Sequence, residues 1–316
     1  MSIRNTDTTR RWPRWLAAVA AIAISQMTAA AEPVRLGTPP WPGATVKTEV
    51  AAQILEHLGY ETETVNASTS ILLKSISMDQ LDAELAVWRP SQSHMLDPLL
   101  EEGTAVELAR NIEGARYKIA VPKYVWEAGV HSLTDLAEHA DKFGRTLYGI
   151  EAGNAGNEIM KKAIKDDTYD LDGWRVLPSS VSGMLAEVGK AVEEKRWIAF
   201  QAWEPHWMNI TYDLKYLADP EGMWGDKSAV YTAARADLEA ERPNVARFLS
   251  QMVVPVSTQS QWIYDHSYDD IPAERVAADW IAANDEIVAE WLDGVTTADG
   301  EQAAIEHLES LNLAEK

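Results

Sequence analysis

The 316-residue chain contains no cysteine. That excludes disulfides, thiol catalysis, cysteine-ligated zinc, thiolate-held iron–sulfur clusters and a lipid anchor on a cleavage-site cysteine. Basic residues are scarce: 28 Lys and Arg stand against 49 Asp and Glu, a formal charge of −21. A field of that sign repels phosphate backbones and anionic headgroups, so nucleic acid and membrane surfaces are poor partners. After residue 31 there is no apolar run of about twenty residues, so no membrane-spanning helix is predicted. Phenylalanine is rare, with three residues, whereas tryptophan has thirteen. The indole face carries the strongest ring quadrupole, so this bias points to a task beyond filling a core. The remaining composition, 46% hydrophobic and 24% charged, is that of an ordinary globular protein.

Residues 1–31 read as a signal peptide. Arg4, Arg10, Arg11 and Arg14 precede an apolar run from Leu16 to Ile24, and Ala29, Ala30 and Ala31 offer a cleavage site. Export to a periplasm is expected, by the general secretory route or, from the Arg10-Arg11 pair, the twin-arginine one. The apolar run is too short to span a bilayer.

Beyond the leader, short β-rich runs alternate with helical patterns, which predicts an α/β protein on largely parallel sheets. Val34 to Gly37, Glu61 to Val65 and Leu81 to Trp88 read as strands. Between them lie helices at Thr45 to Leu58, with Val46, Val50, Ile54 and Leu58 in register, and at Ile71 to Met78. A second unit follows, with strands at Tyr117 to Val121, Leu147 to Ile150 and Ile198 to Ala202. From Ala236 the chain is helical and acidic, with Pro243 and Pro272 placed to start helices. The expected architecture has two lobes: residues 32–114 with 218–316, and an inserted lobe of residues 115–217. Two crossovers would form a hinge.

Four aromatic residues stand at the ends of predicted strands or just beyond: Trp41, Trp88, Tyr117 and Trp203. Open α/β sheets bind ligands at the carboxyl ends of their strands. A trimethylammonium group has no N–H to donate, so aromatic faces are the means of recognising it, each contributing about 0.5 to 2 kcal/mol in a dry site. Packing the core is the competing reading for any one of these rings. The run Tyr148 to Asn157 passes from a strand through a Gly/Asn turn into a helix. Its free N–H groups and the Asn154 amide suit a carboxylate or other oxygen, and Ser180 opens the next helix in the same way; simple helix capping is the alternative for both.

Trp41, the Val87-Trp88-Arg89-Pro90 run, Ala115-Arg116-Tyr117, Tyr148 to Asn157, Ser179-Ser180 with Gly183 to Ala186, and Trp203-Glu204-Pro205-His206 occur in a familiar order and spacing. The chain resembles the periplasmic choline- and glycine-betaine-binding proteins of ABC importers, over essentially its whole length after the leader. The resemblance implies a type II, Venus-flytrap periplasmic binding protein whose lobes close by a hinge. It further implies a cage of Trp41, Trp88, Tyr117 and Trp203 with Asn154 as polar contact, a membrane permease as partner, a monomer, and neither cofactor nor metal. One position departs from the choline-binding branch. Two residues after the first cage tryptophan that branch has a carboxylate, and here Gly43 stands. A net cation would then be held less well than a zwitterion or an N-oxide. Trp126 and Glu127, on a segment placed to fold over the cleft, are candidates to replace the lost group. The ligand stays open among glycine betaine, choline, trimethylamine N-oxide, carnitine and dimethylsulfoniopropionate.

Catalytic readings are weaker. The seven histidines show no metal-ligand spacing, and neither a nucleophile elbow nor a phosphate loop is present. A secreted enzyme using Glu151, Glu204 and His206 as acid–base groups, and a chemoreceptor partner closing in the same way, are the competing functional classes.

Overall fold

The structure is a computed structural model that describes Met1, residues 32–225 and residues 227–308. The expected signal peptide lies outside the described residues. In chain order the elements begin with β1 (Val34–Thr38), α1 (Pro42–His57), β2 (Thr62–Asn66), α2 (Thr69–Ile76), β3 (Ala83–Arg89), α3 (Ser93–Glu101), β4 (Ala105–Pro122) and α4 (Lys123–Glu127). Then come β5 (Thr146–Tyr148), α5 (Ala155–Lys165), β6 (Arg175–Leu177), α6 (Val181–Glu193), β7 (Ala199–Glu204), α7 (Met208–Thr211), β8 (Leu214–Tyr216) and β9 (Ser228–Arg235). The helices α8 (Leu238–Glu241), α9 (Pro243–Gln251), α10 (Val256–Ser267), α11 (Ala273–Ala283) and α12 (Asp285–Trp291) complete the described chain.

The strand order is β2-β1-β3-β9-β4-β7-β5-β6, with β8 also on β4. The pairs β1–β2, β1–β3, β5–β6 and β5–β7 are parallel, whereas β3–β9, β4–β9, β4–β7 and β4–β8 are antiparallel. The sheet is therefore mixed, not largely parallel as the sequence pattern suggested. The difference comes from two long strands that no clean alternation announces. The first part of β4 carries Glu107, Arg110 and Glu113 among its apolar residues and reads as a loop, yet it pairs with β9 from Ala105 to Ala115. From Arg116 to Ala120 the same strand pairs with β7. The β4–β9 ladder shifts register between Glu107 and Ala109, between Arg110 and Ile112, and between Ile112 and Ala115.

Each half of this ladder has its own core. One packs α1 and the C-terminal helices on β1, β3 and the start of β4, through residues such as Val50, Ile54, Leu85, Phe248 and Trp291. The other packs β5, β7 and the end of β4 against α5 and α6, through Ile119, Leu147, Met160, Leu185 and Phe200. A smaller cluster of Leu72, Leu73, Ile76, Val87 and Leu96 lies on the α2–α3 side of β3. Each fully buried Leu, Ile or Val contributes about 1.5 to 3 kcal/mol relative to exposure, so the two large clusters define the two halves energetically. Helix α1 places the cavity described next: Pro42 opens it, and Gly43, Lys47, Val50 and Ile54, at i, i+4, i+7 and i+11, share the face packed on the sheet, with its first turns lining the cavity.

Candidate ligand-binding site

Tyr117 and Trp203 are directly paired across β4 and β7, which puts their side chains on one face of the sheet. Their rings meet edge-on with centroids 6.2 Å apart. Trp88, at the end of β3, brings its ring to 5.8 Å from Tyr117. Trp41 precedes α1 in extended conformation and completes the group. All four line one cavity with about 620 Å³ of open space. Trp224, buried in the segment between β8 and β9, packs behind Tyr117 at 4.9 Å. The Asp219 carboxylate fixes that segment by accepting from the Met223 and Trp224 N–H groups and from the Tyr169 hydroxyl.

Hydrogen bonds hold the rings in place. Trp41 Nε1 donates to Glu151 Oε1 at 2.8 Å. The Tyr117 hydroxyl has two acceptors in reach, Asn154 Oδ1 at 2.8 Å and Gln201 Oε1 at 2.7 Å. Burial, reinforced by the Glu151 charge, pushes the phenol well above its ordinary pKa, so it stays a proton donor. This closeness requires Gly156, because a Cβ there would lie 2.2 Å from the Tyr117 oxygen. Asn154 also caps α5, its Oδ1 accepting from the Gly156 N–H at 2.8 Å. Its Nδ2 points toward Glu151 at 3.4 Å, a weak contact.

Of the residues singled out from sequence, Trp41, Gly43, Trp88, Tyr117, Asn154 and Trp203 line this cavity. Trp126, Glu127 and Ser180 do not. Trp126 lies on α4 against His131, with ring centroids 4.2 Å apart, at the margin of the second core, so this segment does not cover the cavity. Helix α4 follows directly on β4, and its Lys123 N–H donates to the Asp213 carbonyl just before β8. Ser180 is exposed and caps α6 by accepting from the Gly183 N–H at 3.0 Å. The groups of the enzyme reading are committed elsewhere: Glu151 to the Trp41 indole, Glu204 to an ion pair with Arg116.

Sequence reasoning missed Lys47 and Gln259, which line the cavity from α1 and α10, and the neutral state of His206, which packs on Trp203. Lys47 is 2% exposed; its Nζ donates to the Leu85 carbonyl at 3.1 Å and to Asn111 Oδ1 at 2.8 Å. Burial lowers its pKa to about 7. Gln259 of α10 donates from Nε2 to the Gly43 carbonyl at 2.7 Å, leaving a buried Oε1 with no partner among the described residues. It fills the space a side chain at position 43 would need, since a Cβ on Gly43 would lie 2.7 Å from its Nε2. His206 is 1% exposed and burial depresses its pKa to about 3, so the ring is neutral. The Met208 N–H donates to its Nδ1 at 3.1 Å, which puts the ring proton on Nε2, a buried donor with no partner among the described residues. The spacing of Lys47 four residues after Gly43 was the available signal for one of these. Gln259 comes from a helix more than two hundred residues away and left none.

A mixed α/β fold with two cores, a long shared strand and an aromatic cavity lined from both halves defines an extracytoplasmic substrate-binding protein. The chain belongs to the family of substrate-binding domains of ABC-type glycine betaine transport systems, whose model matches residues 32–283. It is accordingly a binding protein and not an enzyme, and membership brings a small ligand and a cognate membrane permease and ATPase as partners. Among solved structures it is similar to an ABC-transporter choline-binding protein in complex with choline, at 31% identity and a TM-score of 0.85, covering 88% of this chain and 97% of that one. It is also similar to lactococcal OpuAC in its closed, glycine betaine-bound conformation, at 27% identity and a TM-score of 0.75, covering 82% of this chain and 99% of that one. The glycine betaine/carnitine transport binding protein GbuC of Listeria monocytogenes is 32% identical over 174 residues, 55% of this chain and 57% of that protein.

Proposed function

We propose that the cavity binds a small methylated ammonium compound, a betaine, choline or N-oxide, and delivers it to an importer. The observation that supports this best is the convergence of Trp41, Trp88, Tyr117 and Trp203 on one cavity. Four ring faces supply negative potential without any acceptor that an N–H would require, which suits a methyl-capped cation and rejects primary amines. The ligand's oxygen meets Asn154 Nδ2 and the His206 Nε2–H. Relatives bound to choline and to glycine betaine support the same ligand class.

In this reading residues 32–114 with 218–316 form one lobe and 115–217 the other, the crossovers acting as a hinge in a monomer. Ligand binds between the lobes and stabilises the closed form by its greater affinity for it, and the permease reads that form. A thermal-shift screen of glycine betaine, choline, carnitine, trimethylamine N-oxide and dimethylsulfoniopropionate tests the class. At one hundred times Kd a ligand adds about 2.7 kcal/mol of stability, so at least one compound should raise Tm by several degrees. A flat response to all five would defeat the proposal.

A further inference from the structure

The two sides of the cavity differ in charge. Among the described residues no Asp or Glu lines it, and Lys47 is the one formally charged side chain in the lining. The ammonium is fixed in the wall by two acceptors drawn from β3 and β4, so it cannot swing away when a ligand arrives. Two acceptors leave a third N–H of Nζ unassigned. The side chain that stands against Gly43, Gln259, is neutral, and its amide orientation is dictated by the Gly43 carbonyl, so only the oxygen end is left over. Glu151 is outside the lining, with one oxygen engaged by the Trp41 indole.

We propose that Lys47 sets the net charge of the ligand: its buried ammonium makes the site select net-neutral dipolar compounds, zwitterions or N-oxides, over net cations of the same size. This rests on the aromatic-cage reading above and adds a residue to it. A fixed positive charge in a desolvated wall repels a second one, and no carboxylate in that wall offsets it. A dipolar ligand keeps its methylated end on the rings and brings a negative charge into the same cavity, which Lys47 attracts. Selectivity thus comes from repulsion of the wrong ligand as much as from attraction of the right one.

The titratable groups around the site behave differently from one another. Burial alone lowers Lys47 to about 7, burial holds His206 near 3, and burial pushes Glu84, on the adjoining residue of β3, up to about 8. Tyr117 remains protonated, and Glu151 faces the indole. At pH 6 Lys47 is therefore charged while His206 and Glu84 are neutral.

Calorimetry at pH 6 with glycine betaine and choline, on the wild-type protein and on Lys47→Gln, tests the proposal. The wild type should favour betaine, and the variant should lower the betaine-to-choline affinity ratio by roughly tenfold or more. An unchanged ratio in a folded Lys47→Gln protein overturns the role of Lys47. A second arm does not depend on that variant folding. In Glu84→Gln, which removes the other group that titrates near neutrality, the ratio should shrink between pH 6 and pH 8.5 as Lys47 loses its proton. A ratio that stays constant there also overturns the proposal. If Trp88→Ala binds both compounds as the wild type does, the cage reading itself has failed and this inference falls with it. Loss of both ligands in Trp88→Ala with an unaltered ratio in Lys47→Gln sinks only the charge role.

Discussion

The aromatic side of the cavity and the side carrying Lys47 and Gln259 are built on different terms. Trp41 donates to Glu151, Tyr117 donates to Asn154 or Gln201, and Trp224 packs Tyr117 from behind, although its own buried Nε1 has no partner among the described residues. His206 packs on Trp203 at 5.1 Å and adds a second unpartnered N–H to this side. Across from them Lys47 Nζ is held by Leu85 and Asn111, and Gln259 keeps a buried Oε1 with no partner among the described residues. Buried polar atoms left unpaired cost about 1 to 3 kcal/mol each; His206 and Gln259 line the cavity, where a ligand can supply the missing bond. The comparison teaches a division of labour: one side holds ring faces ready for a methylated head, and the other holds a fixed charge.

The most damaging way to test that division is to remove a ring. Trp88→Ala should weaken binding of the preferred ligand by about 1 to 3 kcal/mol or more, read by calorimetry; full affinity would mean the rings only pack. A smaller effect is expected from Gly156→Ala. Its new Cβ overlaps the Tyr117 hydroxyl, so the ring must shift and the protein should lose about 1 to 3 kcal/mol in denaturant unfolding, with weaker binding beside it. Unaltered stability would show that Tyr117 is not held as tightly as its partners suggest.

A third effect, read through pH, concerns β3 beside the cavity. Burial raises Glu84 from 4.5 to about 8, with the Thr69 hydroxyl opposing the shift. Between those values the folded protein binds more protons than the unfolded chain, so this group makes stability fall as pH rises across that window. Glu84→Gln, always neutral, should raise Tm relative to wild type more at pH 8 than at pH 5. An equal difference at both pH values would place the carboxyl in contact with water.

Much of the ring side was legible in the sequence. Trp88 and Trp203 each end an apolar run with a Pro two residues on, and strand ends are where α/β folds gather ligands. Asn154 was visible as a cap, and the structure keeps it one at the cavity wall, its Oδ1 shared between the Gly156 N–H and the Tyr117 hydroxyl. The side carrying Lys47 and Gln259 was not legible, because it depends on tertiary pairings. Gln259 meets Gly43 only once α10 packs on α1, and Lys47 meets its acceptors only once α1 packs on β3 and β4. The long strands β4 and β9 were missed for a related reason. Charged residues on their open side break the alternation that marks a strand, and their partners lie more than a hundred residues apart in places.

The three register shifts in the β4–β9 ladder have a mechanical meaning. A paired ribbon resists being pulled apart, because that breaks many hydrogen bonds at once, but each bulge increases its local coil and loosens it about its long axis. Residues 107–115 are thus a strongly twisted ribbon, and the same strand continues two residues further to Tyr117. On the proposed two-lobed reading, an approach of Trp203 to Trp88 would be expressed as added twist of that ribbon, a change of angle between two faces more than of width.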